Sequence, residues 1–150
     1  MKRITEFKKQ FDVTPETNLA SLKKTYRSLI KEWHPDKFRD NDEKAAEADA
    51  KSTKIIEAYH FLVSISQETQ ASNFDEYTNT VTTTGIEDFK HNKQVLEVTF
   101  KDGSAYEYFG VSTKVFQKMV NSATQFRFGK RHIFNSYTYR QVKKRMEEVA

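Results

Sequence analysis

Apolar residues recur at helical spacing through the first half of the chain and change to strand-like runs in the second. Residues 4–12 place Ile4, Phe7 and Phe11 on one face of a short helix. Thr14-Pro15 marks a turn, after which either Thr17 or Asn18 can cap a second helix. In that helix Leu22, Tyr26, Leu29 and Trp33 share one face, at spacings of four, three and four. Pro35 stops it, because proline biases His34 away from the helical region and cannot donate the next backbone bond. Asp40 with Glu43 fits a capping box for a third helix to about Ser64, with Ile55, Ala58, Tyr59 and Leu62 as its apolar stripe.

Residues 66–79, SQETQASNFDEYTN, are polar and aperiodic and predict a linker. Beyond it, Val95–Phe100 is a β-rich run, residues 101–104 hold an Asp-Gly turn, and Ala105–Phe109 returns as the second arm of a hairpin. Thr80–Phe89 predicts an earlier strand. A helix follows from about Lys114, with Val115, Phe116, Met119 and Val120 apolar. The predicted fold class is α+β: an antiparallel helical hairpin over residues 1–65, the linker, a small α+β unit over 80–142, and a basic tail over 143–150.

With 150 residues the chain has room for one ordinary domain or two small ones. It has no cysteine, which removes disulfides and thiolate metal sites. No apolar run approaches the roughly 20 residues of a membrane span, and the first residues, MKRITEFKKQF, lack the continuous apolar region of a secretory signal. The expectation is a cytoplasmic protein with no membrane partner. The net charge of +4 is uneven: residues 1–78 carry 13 basic and 14 acidic side chains, residues 79–150 carry 12 and 7. The surplus in the second half suits an anionic partner there.

Two features carry candidate chemistry in the first half. Lys23, Arg27 and Lys31 form an i, i+4, i+8 row, joined by Lys24, and His34-Pro35-Asp36 follows the helix directly. Alone, that tripeptide is also explained as a helix stop with Asp36 capping the next turn. Together with Tyr26, Trp33 and Lys37, however, the stretch KKTYRSLIKEWHPDK resembles the J-domain (DnaJ) family. Phe7, Phe11 and Val13 suit the end of that family's first helix, although Asp12 stands where glycine is common. IIEAYHFL resembles its third helix, which packs antiparallel to the second.

Departures accompany the resemblance. Ser52 occupies the place of a usually buried phenylalanine, so either Phe38 or a residue from the second half fills that volume, or the hairpin is less stable than most. The family's short fourth helix is not recognisable in SISQETQAS, and neither a Gly/Phe-rich segment nor a cysteine-rich zinc module follows. The resemblance implies a co-chaperone that docks on an ATP-bound DnaK-type (70-kDa heat-shock) chaperone and triggers its ATPase through His34, Pro35 and Asp36. Lys23, Lys24, Arg27 and Lys31 would steer docking toward an acidic surface. Asp36 would bond a partner cation, His34 would brace the loop and Pro35 would fix its geometry. Tyr26 fits the docking edge and the core equally well.

In the second half, LEVTFKDGSAYEYFGVSTKVFQKMVNSAT followed by RHIFNSYTYRQV is similar to the KTSC domain, a family named from the C-terminus of some lysyl-tRNA synthetases. Ser112 stands where that family commonly has proline. RNA binding is one suggested role for the family. The residues allow the same: Arg127, Lys130, Arg131, Arg140, Lys143, Lys144 and Arg145 occur with no acidic residue from 127 to 146, interleaved with Phe126, Phe128, Phe134, Tyr137 and Tyr139. Cations could track phosphates while aromatics stack on bases; equally, the aromatics fill a small core whose rim the cations form. The partner of residues 80–150 is therefore RNA or a client protein, and a nucleic-acid-binding protein using the J-like hairpin only as a scaffold is the alternative reading.

Nothing in the sequence points to an enzyme. His34, His60, His91 and His132 are scattered without a metal spacing, and there is no Gly-rich phosphate loop, cysteine nucleophile or Gly-x-Ser-x-Gly elbow. The expectation is no catalysis, no metal and no cofactor.

Overall fold

A computed structural model of the chain describes residues 2–144, and within them the fold is α+β in two compact units that divide between Gln70 and Ala71. The first unit begins with α1 (Lys2–Gln10), after which Asp12 takes φ 50°, the left-handed conformation that glycine adopts more readily. Next is α2 (Leu19–Trp33), capped by Asn18, whose side chain accepts from the Ser21 amide. Of the two capping candidates Asn18 is the one used, while Thr17 bonds the Thr14 amide. A 3-10 turn (Pro35–Phe38) leads to α3 (Asp42–Ile65). Its cap is Asn41, accepting from the Lys44 amide, rather than the predicted Asp40.

The pairings between α2 and α3 run in opposite directions, which makes the hairpin antiparallel. Tyr26 stacks on Tyr59 at 4.2 Å between ring centroids, and at the other end Trp33 meets Lys51 and Ser52. Phe11, Leu22, Ile55, Ala58 and Leu62 form the buried centre, as the periodicity requires, and α1 closes it with Phe7 edge-on to Phe61.

The expected linker is helical. α4 (Gln67–Ser72) forms where no fourth helix was recognisable, and the Ser66 hydroxyl caps it by accepting from the Thr69 amide. It also serves the hairpin, since Glu68 accepts from the Leu19 amide at the unsatisfied start of α2. α5 (Phe74–Thr83) belongs to the second unit and takes up the first four residues of the strand expected over 80–89; the strand is β1 (Ile86–Asn92). The run lacks an apolar stripe because α5 buries only Tyr77, Thr80 and Val81. Three positions, one of them a threonine, are too few for a periodic signal.

β1, β2 (Val95–Phe100), β3 (Ala105–Phe109) and β4 (Thr138–Lys143) form an antiparallel meander in sequence order. The predicted β2–β3 hairpin pairs Leu96 with Tyr108 and Val98 with Tyr106, which puts these four on the core face. Its turn needs Gly103 at φ 88°. Asp102 accepts from the amide and hydroxyl of Ser104 and from the hydroxyl of fully buried Thr80, so the turn is tied to α5.

α6 (Thr113–Val120), capped by Ser112 where the family prefers proline, and α7 (Gln125–His132) complete the layer. Met119, Ile133 and Phe134 are wholly buried between helices and sheet. The Phe134 ring lies so close to Gly129 that a Cβ there would sit 2.3 Å from it. Lys143, assigned to a tail by its sequence, is the last residue of β4 and pairs with Ala105; Lys144 follows it, and residues 145–150 lie outside the described residues. Among the described residues no helix is long and apolar enough to cross a membrane.

Candidate functional site

Pro35 decides the shape of the first candidate site. α2 runs to Trp33, and His34 is held extended at φ −63° and ψ 129°, the conformation a following proline favours. The chain then turns through one 3-10 turn, in which the Lys37 amide donates to the His34 carbonyl. His34 rather than Asp36 supplies the cap: its Nδ1 accepts from the Asp36 amide at 3.2 Å. The bond orients the imidazole against the loop backbone. The same Nδ1 lies 3.7 Å from the Asp36 carboxylate.

Asp36 is 65% exposed, and besides His34 its carboxylate meets only the Arg39 guanidinium among the described residues, at 3.4 Å. An exposed pair of this kind is worth about 1 kcal/mol or less, so the carboxylate is free to exchange Arg39 for a cation on another molecule. Lys23, Lys24, Arg27 and Lys31 are all exposed along α2, and no ion pair among the described residues neutralises them. Glu32 is the only acid in that helix. Tyr26 is different: half-buried and stacked on Tyr59, it belongs to the hairpin core.

Behind the loop stands α3. The Ser52 hydroxyl donates to the Trp33 carbonyl at 2.7 Å, and the Lys51 ammonium lies 3.7 Å from the Trp33 ring centre. Trp33 and Phe38 stack at 6.3 Å across the loop. Sequence reasoning noted Ser52 only as a missing phenylalanine. A lone serine in a helix carries no sign that it bonds a residue 19 positions away.

The second candidate set is divided by the fold. Arg127, Lys130 and Arg131 share one exposed face of α7, with Lys130 also lying 4.6 Å from the Phe126 ring centre. Arg140 is half-buried and bonded to Glu107 at 3.0 Å, which removes it from the set of open cations. Lys143 and Lys144 are exposed at the end of β4, and Arg145 lies outside the described residues. Lys114 and Lys118, exposed on α6 beside α7, extend the basic layer beyond the residues the sequence singles out; their i, i+4 spacing and the absence of acids from 108 to 146 are the available signal. The aromatics are not free to stack on bases. Phe134 is buried, Tyr139 stacks on Tyr77 at 4.0 Å, Phe126 packs against Phe100 and Phe134, and Phe128 lies against His132.

Under this layer sits a tyrosine cluster. Tyr77 donates to the Phe134 carbonyl at 2.6 Å, so its oxygen accepts from the Tyr108 hydroxyl at 2.9 Å. Burial pushes the phenols of Tyr77, Tyr106, Tyr108 and Tyr139 above their ordinary range, with neighbouring phenols and carboxylates adding to it at several of them. No group of three or more metal-ligating side chains occurs among the described residues.

Comparison with known proteins agrees with both halves. A DnaJ domain model matches residues 9–75 and a KTSC domain model matches residues 84–137. The chain is 32% identical over 104 residues to DnaJ homolog subfamily C member 16 of Pongo abelii, covering 69% of this chain and 12% of that protein. It is 38% identical over 76 residues to the Chaperone protein DnaJ of Mesomycoplasma hyopneumoniae (strain 232), covering 48% of this chain and 19% of that one. The chain thus spans less than a fifth of the length of these curated relatives.

Proposed function

We propose, from a chain that joins a J-domain to a KTSC domain, that it is a co-chaperone of a DnaK-type chaperone and stimulates that partner's ATPase through His34, Pro35 and Asp36. The observation that carries this is the loop itself: an exposed carboxylate with only weak contacts, beside an imidazole oriented by the Asp36 amide, at the end of a basic helix whose cations have no ion pair among the described residues. The α2 cations supply encounter, which screening by salt weakens. Asp36 supplies a charge-assisted bond and Pro35 a fixed geometry for it. This chain performs no catalysis of its own; it changes the rate of a reaction in its partner.

The test is single-turnover ATP hydrolysis by the chaperone, with wild type and His34→Gln. Wild type raises the rate, and His34→Gln keeps its helical circular dichroism and loses the stimulation. An equal rate with the variant removes the loop from the mechanism.

For the KTSC half, we infer binding to the phosphate backbone of RNA by α6 and α7. The favouring observation is that Lys114, Lys118, Arg127, Lys130 and Arg131 are exposed on α6 and α7, two helices that carry no acidic residue. Because the aromatic rings are packed inward, the expected binding is phosphate-directed and indifferent to base sequence.

A further inference from the structure

The carbonyl that immediately precedes His34 is held by the other arm of the hairpin. Proline ends α2 abruptly, so the last carbonyls of that helix have no amide of the next turn to accept. Trp33 contributes one of them, and Ser52 of α3 donates to it at 2.7 Å from a site only 8% exposed. A peptide plane is rigid. Fixing the Trp33 oxygen therefore also fixes the His34 nitrogen and the direction in which the chain enters the loop.

Downstream, the loop organises itself. The Asp36 amide bonds His34 Nδ1, and the Lys37 amide bonds the His34 carbonyl. Both bonds lie inside the turn and set its shape without setting its direction from α2. The Ser52 bond is the one that ties its entry point to α3. Lys51, one residue earlier, sits over the Trp33 ring at 3.7 Å, and Trp33 in turn stacks on Phe38 at the loop's far side. Consecutive residues of α3 thus hold the backbone and the side chain of Trp33.

We propose that Ser52 is a positioning residue for the His34–Asp36 loop, acting through the Trp33 carbonyl; this rests on the co-chaperone reading above. Docking and triggering then separate. Lys23, Lys24, Arg27 and Lys31 lie upstream along α2 and are untouched by the latch, so they set the concentration at which the protein half-saturates its partner. The latch sets how often the docked loop presents His34 and Asp36 in the productive direction, and so governs the rate at saturation. The buried Ser52 hydroxyl thus supplies a donor to one of the carbonyls that the end of α2 leaves without an amide.

The experiment compares wild type, Ser52→Ala and Ser52→Thr in the full chain. Trp33 is the single tryptophan, so its fluorescence reports on the latch without any partner. Ser52→Ala is expected to raise acrylamide quenching of Trp33 and to lower the saturating stimulated ATPase rate about fivefold, which is the effect of one net hydrogen bond. The half-saturating concentration stays within about twofold. Ser52→Thr keeps the hydroxyl and restores both readouts. Leu62→Val, buried ten residues further along α3 and so about 15 Å from Ser52, controls for lost stability: it lowers the melting temperature and leaves the saturating rate alone.

Three results overturn the proposal: a saturating rate unchanged in Ser52→Ala while wild type stimulates; a loss that Leu62→Val reproduces; or a loss confined to half-saturation. A wild type that stimulates nothing overturns the co-chaperone reading itself, whatever Trp33 shows.

Discussion

Replacing Tyr77 by phenylalanine removes one oxygen from the stretch whose sequence looks like a linker, and the structure assigns that oxygen two buried bonds. Tyr77 donates to the Phe134 carbonyl at 2.6 Å and accepts from Tyr108 at 2.9 Å. Tyr108 and Phe134 are wholly buried, so neither gains water when Tyr77 loses its hydroxyl. Each orphaned buried group costs about 1–3 kcal/mol. Partial relaxation brings the expected loss to roughly 2–4 kcal/mol, a large share of the 5–15 kcal/mol of an ordinary domain. For a unit of this size that is a fall in melting temperature of roughly 10–25 °C.

The assay can follow the two units separately, because the single tryptophan lies in the first and five of the seven tyrosines lie in the second. Tyrosine near-ultraviolet dichroism should melt earlier in Tyr77→Phe, while Trp33 fluorescence melts as in wild type. A tyrosine midpoint within about 2 °C of wild type refutes the claim that α5 is part of the second core. So does an equal shift in both probes.

Two further outcomes follow from the same unit. Burial raises the phenol pKa of Tyr77 and Tyr108, so the unfolded chain gives up those protons first as pH rises through 10. Stability is therefore complete below that pH and falls above it, by about 1.4 kcal/mol per pH unit for each buried phenol still protonated; urea midpoints equal at pH 8 and 11 would contradict this. For the basic layer, fluorescence anisotropy with a labelled 20-nucleotide RNA should show binding that weakens with salt at a logarithmic slope of about −3.5, the value for five single-strand phosphate contacts. Glutamine at Lys114, Lys118, Arg127, Lys130 and Arg131 should abolish it, and no complex at 50 mM salt with wild type would dismiss the RNA reading.

The sequence by itself determined what local rules govern. Pro35 had to end α2, and Leu22, Tyr26, Leu29 and Trp33 had to share a face. Asp102-Gly103 had to turn a hairpin, and the basic row had to lie along one side of a rod. The family resemblance rests on these same local patterns, and the DnaJ and KTSC matches agree with it. α4 and α5 were invisible, because polar helices are stabilised by distant partners: Leu19 for Glu68, and Tyr108, Phe134 and Asp102 for Tyr77 and Thr80.

Tertiary structure also decided the meaning of single residues. Arg140 looks like any other cation in its run until Glu107 arrives from the neighbouring strand. The aromatics that alternate with the cations face inward because a unit this small has few other residues with which to build a core. Ser52 reads as a deficit along the chain and becomes a donor only when α3 folds back against the end of α2. Periodicity and turn chemistry act over a few residues, and a sequence states them openly. A hydrogen bond across 19 or 57 residues exists only once the chain has closed that distance.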